Sequence, residues 1–571
     1  MNKLVSPFVY NLYIIGLCTV LGFFCISARL FYLQITVAEV LESIGTKNFT
    51  RYLTIPCPRG NILDRHGVLL ATNRPLCSLY WQGRGNRQFN VDDQQVLDTI
   101  KQIVRKSLPS HESLIIAERK GKRILLAEDL SFEELASIVE LFPDYPTLHI
   151  DSDHKRYYPY GSIASHILGH LAASQEDYMG KMGLERLYEE GLRGIPGTAR
   201  AIINAMGKTL HVDHLEKPQS GYDVQTTLDL RIQTIAEKIF PDEYSGCLIV
   251  MDPHKGDILS LVSRPTFDPN IFINPIEQEV WDNLIQKQPF LNRAFNLYPP
   301  ASLFKLVSIS YALENNLIDL DSSWYCVGHI EFGGRKTRCN NKYGHGTIAM
   351  VETVAKSCNI PFFELGKKIK IDQLAHYAKK FGIGMKTGCT YFDRSGIMPT
   401  THWKRTMFGQ PWYPGETLSA MIGQSFILVT PIHMARMIAG VCYGQMPKPR
   451  FTLDDPVELV PLPLNKEVRK FLKHAMHEVT KKGSGRLMGS LKNVKIRAKT
   501  GTAQVASLEK RDEGFGYHEH AWLAADCIFE DGTSIILIIL IEHAGSSRVA
   551  VQVATNFLKE YGTNIINAVS A

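Results

Sequence analysis

The stretch Cys247-Leu248-Ile249-Val250-Met251-Asp252-Pro253-His254-Lys255-Gly256-Asp257-Ile258-Leu259-Ser260-Leu261-Val262 is an apolar run, a polar turn and a second apolar run. Pro and Gly inside the turn, with β-branched residues on either side, read as strand, turn and strand. Near the other end of the chain, Ala521 to Phe529 and Thr533 to Ile541 flank Asp531-Gly532, a strong hairpin signal. Ser546-Ser547 then caps a helical spacing from Arg548 to Tyr561 that stops at Gly562. Between the two strand pairs, Leu303 to Asn315, Val351 to Lys356 and Thr430 to Val441 read as helices. Strands at both ends and helices in the middle predict an α+β domain over 230–571. Its antiparallel sheet would be closed by its own first and last strands and packed between helices.

Working outward, residues 29–229 read as a mixed region. Arg59 to Ala71 places apolar runs around an Asp64-Arg65-His66-Gly67 turn, a hairpin whose charges Arg59, Asp64 and Arg65 are expected to pair internally. Lys101 to Arg105 and Ser131 to Leu141 look helical, and Gly183 to Gly194 reads as a short amphipathic helix before Pro196-Gly197 breaks the chain. From Phe8 to Ala28 there are 21 residues without a charge, enough at about 1.5 Å per residue to cross a core of about 30 Å. A cleaved signal peptide is the alternative, but its apolar run is normally about 7 to 15 residues, so an uncleaved anchor is the better reading. The whole chain has 571 residues, 63 Lys plus Arg against 57 Asp plus Glu (net +6), 45% hydrophobic and 21% charged residues. That composition excludes a disordered, collagen-like or multi-span protein, and the dilute charge excludes a nucleic-acid footprint.

Three short motifs carry candidate chemistry. In Ser302-Leu303-Phe304-Lys305, positions i and i+3 share a helical face, so the amine can take the hydroxyl proton if its pKa is lowered. Ser152 to Lys155 and Ser507 to Lys510 match the same pattern, but only Ser302 follows a helix stop, Pro299-Pro300, and precedes an apolar helical run. It would therefore lie at a helix N-terminus, where free N–H groups favour a developing oxyanion. Ser357-Cys358-Asn359 is the chain's only Ser-x-Asn. Its hydroxyl and amide could point into one cleft, although Asn359 as a simple helix cap is the blander reading. Lys499-Thr500-Gly501-Thr502 ends an alternating run, Val494, Ile496 and Ala498 against Lys495, Arg497 and Lys499, and Gly501 would let a substrate backbone lie against that strand. Lys386-Thr387-Gly388 also matches but sits in a glycine-broken turn.

Order and spacing make these motifs specific. Ser302, Ser357 and Lys499 are 55 and then 142 residues apart, the trio of β-lactamases and penicillin-binding proteins. Met251-Asp252-Pro253 and Val262-Ser263-Arg264-Pro265-Thr266-Phe267-Asp268-Pro269-Asn270 resemble the opening of a class B penicillin-binding transpeptidase domain. Arg59 to Ala71 resembles that class's membrane-proximal motif, and Gly183-Leu184-Glu185 through Pro196-Gly197 its linker. Ile422-Gly423-Gln424 and Val429-Thr430-Pro431 fit its helical part. From residue 51 onward the chain thus resembles the class B penicillin-binding proteins. Two positions depart from the family: Ala301 and Ser425 stand where glycine is usual. Alanine is small enough to be tolerated, and Ser425 is expected to alter a turn.

The resemblance implies a bacterial inner-membrane protein with a cytoplasmic tip and single-pass anchor over 1–28. An elongated, non-catalytic, dimerisation-like pedestal would cover 29–229, and a periplasmic transpeptidase domain 230–571. It implies a serine-type D-Ala-D-Ala transpeptidase that cross-links peptidoglycan stem peptides and is acylated by β-lactams, with no cofactor required for catalysis. Ser302 would be the nucleophile, Lys305 its base, Ser357 the proton relay and Asn359 the holder of the donor amide. The Lys499, Thr500, Gly501 and Thr502 strand would receive the terminal carboxylate, and the N–H groups of Ser302 and Thr502 the oxyanion. Gly344-His345-Gly346, Lys499 to Val505 and a single C-terminal helix after the last hairpin look more like the elongation type than the septal type. The partners implied are a SEDS-type, RodA-like glycan polymerase and rod-complex proteins. β-Lactamases lack the region Arg29 to Asp229, β-lactam sensors need further membrane spans, and a silent scaffold would not need three intact motifs.

One feature lies outside the trio. Cys326, Cys339, His345 and Cys358 are spaced Cys-x12-Cys-x5-His-x12-Cys, with glycine on both sides of His345. They match a tetrahedral Cys3His structural zinc set. Cys358 is the middle of Ser357-Cys358-Asn359. If its neighbours face the cleft, its own side chain faces away, where a metal could fasten the second motif. A Cys326–Cys339 disulfide, or free thiols, would explain fewer of the four residues. Some elongation-type enzymes have ligands at comparable positions.

Overall fold

The computed structural model describes residues 7–104, 107–173, 178–203, 209–273, 276–505 and 514–566. Pro7–Phe31 forms one α-helix, followed by a π-helical turn, Tyr32–Thr36. Among the described residues, Phe8–Thr36 is the one span long and apolar enough to cross a membrane, and none of it is buried.

The chain packs as two compact units. One comprises Met1–Arg59, Asn73–Lys155 and Arg193–Gly221; the other comprises Gly60–Thr72, Arg156–Leu192 and Tyr222–Ala571. In the first unit, strands Thr50–Ile55, Gly197–Ile203 and Thr209–Glu216 form an antiparallel sheet. A separate core of Leu79, Trp81, Val96, Leu97, Ile100, Leu114, Leu126 and Ile138 lies among helices Val91–Ile103, His111–Lys120 and Phe132–Leu141. The first of these helices is much longer than the expected Lys101–Arg105. Asn90 and Asp93 close a capping box at its start, a polar signal that outweighs the weak apolar period after it.

The second unit is built on one five-stranded antiparallel sheet. Its strands are β1 (Gly246–Met251), β2 (Ile258–Arg264), β3 (Val494–Ala503), β4 (His520–Phe529) and β5 (Ser534–Ile541), in the order β2-β1-β5-β4-β3. The first strand pairs with the last, Gly246 opposite Ile541 and Met251 opposite Ile536, so the sheet is closed as its end strands predict. Both faces are covered. Cys247, Ile249, Met251, Trp522, Ala524, Ile536, Ile538 and Leu540 join the core that includes Leu306, Ile309 and Ile438. Leu248, Val250, Leu523, Ala525, Leu537 and Ile539 join the core formed with Ala550, Val551, Ala554 and Phe557 of the C-terminal helix Ser547–Tyr561. Burial on two faces is why these strands read as unbroken apolar runs rather than as an alternation. The Lys499 strand, β3, lies at one edge, against the helical middle of the chain.

Two local expectations change. Gly183 to Gly194 forms two short helices, Gly183–Leu187 and Glu189–Arg193, not one. Among the described residues, Asp64 is held by backbone amides rather than by Arg65. Its Oδ1 accepts from the amides of His66 and Val68 (2.8 Å each), and its Oδ2 from the amide of Leu230 (3.2 Å). Arg65 reaches Asp257 instead, at 4.0 Å. A carboxylate buried in a tight turn is better satisfied by several fixed amides than by one long flexible cation.

Candidate active site

The segment around Ser302 is a 3-10 turn, Ala301–Leu303, leading into the helix Lys305–Glu314. The expected single helix from Leu303 is therefore broken at its start. In a 3-10 turn residues i and i+3 eclipse, which keeps Ser302 and Lys305 on one side. The turn is held from three directions. The Ala301 amide donates to the Gly423 carbonyl (2.9 Å). Trp522 Nε1 donates to the Pro299 carbonyl (3.0 Å). Gly501 lies so close that a Cβ there would come 2.8 Å from Leu303 Cδ1 and 3.4 Å from the Pro300 carbonyl. The last contact gives Gly501 a packing role beside the expected one of admitting a substrate backbone. Ser302 is partly exposed, and its hydroxyl has no hydrogen bond among the described residues.

Lys305 is fully buried. Its Nζ lies within hydrogen-bond distance of four acceptors that share its protons: Asn359 Oδ1 (2.6 Å), the Ser357 carbonyl (2.8 Å), the Cys358 carbonyl (3.2 Å) and Ser357 Oγ (3.3 Å). Lys499, also fully buried, donates to Ser357 Oγ (2.9 Å) and to the Thr500 carbonyl (3.0 Å). Burial pushes the Lys305 amine down to about 7, against the opposing pull of the Cys339 and Cys358 sulfurs. Lys499 is also lowered well below the usual range, by burial first and by neighbouring Lys305 second. Two amines and one hydroxyl, from segments far apart in sequence, thus meet in a water-poor place suited to moving a proton.

The second motif owes its shape to the end of helix Met350–Ala355. The Ser357 amide bonds to the Val354 carbonyl (3.3 Å) and the Cys358 amide to that of Thr353 (3.1 Å), the paired bonds of a Schellman motif. Ser357, not Asn359, takes the left-handed position, with φ +55°. The reversal sends Ser357 and Asn359 towards Lys305 and Cys358 to the other side. There Cys358 Sγ is 3.7 Å from Cys339 Sγ, and His345 Nδ1 is 3.5 Å from Cys326 Sγ and 3.6 Å from Cys339 Sγ. All four ligand atoms lie within 4.8 Å of one another, and the three cysteines are free thiols rather than a disulfide. Bonds of about 2.3 Å to sulfur and 2.0–2.1 Å to nitrogen at tetrahedral angles would place S···S about 3.8 Å and S···N about 3.6 Å apart. The three separations given above match these edges, and the other pairs lie within 4.8 Å, so the cluster could hold a metal ion. The hydrogen bond from Cys358, with the amides of Asn359 and Asn341 behind it, draws the Cys339 thiol down towards thiolate.

A model of the penicillin-binding protein transpeptidase domain matches residues 246–560, and one of the penicillin-binding protein dimerisation domain matches 54–226. The chain belongs to the penicillin-binding proteins. It is 29% identical to the peptidoglycan D,D-transpeptidase MrdA of Acinetobacter baumannii, over 87% of this chain and 78% of that one. It is 28% identical to MrdA of Escherichia coli K12 (86% and 84%), and 30% identical to stage V sporulation protein D of Bacillus subtilis (85% and 75%). Among solved structures it is similar to penicillin-binding protein 2 from Helicobacter pylori in complex with MreC. There the TM-score is 0.75 at 27% identity, covering 90% of this chain and 99% of that one. A chain of a peptidoglycan synthase complex gives 0.76 at 27% identity, covering 97% and 98%. The class B assignment and the likeness to penicillin-binding protein 2 agree with the reading of the motifs.

The two positions where penicillin-binding proteins usually have glycine are both left-handed here, Ala301 at φ +49° and Ser425 at φ +68°. The turn at Ser425 keeps a backbone that glycine adopts freely. The rejected motif matches fall elsewhere: Ser152 lies on strand Leu148–Tyr157, and Asp393 caps the Thr387 and Gly388 amides (2.8 Å each) in a turn. Ser507–Lys510 lies outside the described residues. Motif reading did not give Gly423, Gln424 or Trp522 a place in the site. Gln424 Nε2 donates to the Thr502 carbonyl (3.4 Å), and a Cβ on Gly423 would come 2.1 Å from the Ala301 carbonyl. Gly423→Ala is therefore expected to slow acylation by penicillin at least a hundredfold by displacing the Ser302 turn, whereas Ala301→Gly stabilises the protein by about 1 kcal/mol. Acylation kinetics and thermal melting of the two variants check both outcomes.

Proposed function

We propose that this chain is a peptidoglycan DD-transpeptidase that cross-links stem peptides through a serine acyl-enzyme during cell elongation. The observation that carries the reading is the meeting of Lys305, Ser357 and Lys499 behind an unengaged Ser302 hydroxyl. Ser302 Oγ attacks the D-Ala-D-Ala carbonyl and gives its proton to Lys305. The developing oxyanion lies between the amides of Ser302 and Thr502, a preorganised pair worth a few kcal/mol of barrier. Ser357 passes the proton to the departing D-Ala amine, so the C–N bond breaks as the ester forms. The acceptor amine then attacks the ester and restores Ser302. Asn359 holds the donor amide, and Lys499, Thr500 and Thr502 receive the terminal carboxylate or that of a β-lactam, with Gly501 keeping the strand close.

The division into anchor (1–28), pedestal (29–229) and transpeptidase domain (230–571) goes with this function. The anchor lies in the inner membrane and both larger parts in the periplasm. The similarity to chains solved with MreC and within a peptidoglycan synthase complex supports partners of the rod complex and a RodA-like polymerase for this chain too. Cys326, Cys339, His345 and Cys358 would hold zinc. Three thiolates and an imidazole would fill a tetrahedral set and make it a structural site, and catalysis itself needs no cofactor.

A fluorescent penicillin should label the full-length protein and fail to label Ser302→Ala; label persisting in that variant would overturn the nucleophile. Protein purified without chelator should carry about one zinc per chain. Cys358→Ser should lose the metal and acylate roughly tenfold more slowly; metal-free wild-type protein of full activity would refute the zinc.

A further inference from the structure

The turn Gly483-Ser484-Gly485 follows helix Lys466–Lys481 and belongs to none of the three motifs. The Gly483 and Gly485 amides both bond to the Val479 carbonyl (3.2 and 3.0 Å). A Cβ on Gly483 would come 2.2 Å from the Ala355 carbonyl and 2.8 Å from that of Val479. The turn is thus pressed against the last residue of the helix that delivers Ser357. Ser484 itself is exposed, and its Oγ is in hydrogen-bond contact with Thr500 Oγ1 on β3. Thr500 is only 2% exposed.

Of these two hydroxyls, then, the one on the motif strand is buried and the one on the turn reaches the surface. Each has a single proton. With the Thr500 proton committed to Ser484 Oγ, the Ser484 proton is free to point outwards, and two hydroxyls in series polarise each other. Ser484 also ends a polar chain that runs through Thr500, whose carbonyl accepts from Lys499, to Ser357. We propose that Ser484 is a substrate-binding residue whose hydroxyl, oriented by Thr500, donates to the terminal carboxylate of the donor peptide. The proposal rests on the reading of Lys499 to Thr502 as the carboxylate-receiving strand, and adds Ser484, oriented by Thr500, to the residues that receive it.

The test uses the full-length protein in detergent and two acylating agents, benzylpenicillin and its methyl ester, which lacks the anionic carboxylate. Ser484→Ala should slow acylation by the acid about ten- to a hundredfold, the loss of one charge-assisted hydrogen bond, and leave the ester within about twofold. Ser484→Thr, which keeps the hydroxyl, should restore the acid rate. Equal slowing of acid and ester would make Ser484 a purely structural pin, and an unchanged acid rate would remove it from the site; either result overturns the proposal. Thr502→Val separates the two levels of the argument. If it discriminates acid from ester and Ser484→Ala does not, only the Ser484 assignment fails; if neither discriminates, the reading of the strand fails with it.

Discussion

The Ser357 hydroxyl lies 2.9 Å from Lys499 Nζ and 3.3 Å from Lys305 Nζ, and both amines are sealed from water. Two ammonium ions so placed would repel each other with little solvent to screen them, so Lys305 adds to burial in lowering the tendency of Lys499 to hold a proton. A hydroxyl can accept from one amine while donating to the other. Any change that moves this oxygen alters both lysines, and through Lys305 the residue on whose face Ser302 stands. The rest of the second unit can be understood as the means of holding that one atom in place.

Holding it costs conformational energy. Ala301 and Ser357 are both left-handed, a backbone that costs a residue with a Cβ roughly 1 kcal/mol or more. The strain persists because neighbours over-determine it. Gly423 and Trp522 bind the turn before Ser302, and the Schellman bonds and the Cys358 sulfur hold the other. Alternation along three residues does much of this. With Ser357 and Asn359 facing the lysines, Cys358 is left to the opposite side, where Cys326, Cys339 and His345 meet it. The proposed catalytic geometry and a cluster that could hold a metal ion therefore share one short segment.

Much of this was legible in the sequence because the signals were local or paired. Apolar runs around Asp252-Pro253 and Asp531-Gly532 marked four strands of the sheet, and their placement at the two ends of the domain implied its closure. The three motifs and the four Cys and His residues that cluster here could be read from residue type and spacing. What was not legible depended on contacts between distant segments. Gly423 is one of many glycines until the Ala301 carbonyl is placed against it, and Gly501 looked like room for a substrate until Leu303 filled that side. The partners of Asp64 are backbone amides, which leave no trace in residue type. Ser484 carries no motif, and its contact with Thr500 arises only when the turn after one helix folds against an edge strand.

The shared hydroxyl is tested most directly by a double-mutant cycle on acylation by penicillin, with Ser357→Ala, Lys499→Ala and the two combined. If Lys499 acts through Ser357, each single change slows acylation at least about a hundredfold and the double variant is no more than about threefold slower than the worse single. Losses that multiply in the double variant would show two independent contributions and contradict the account.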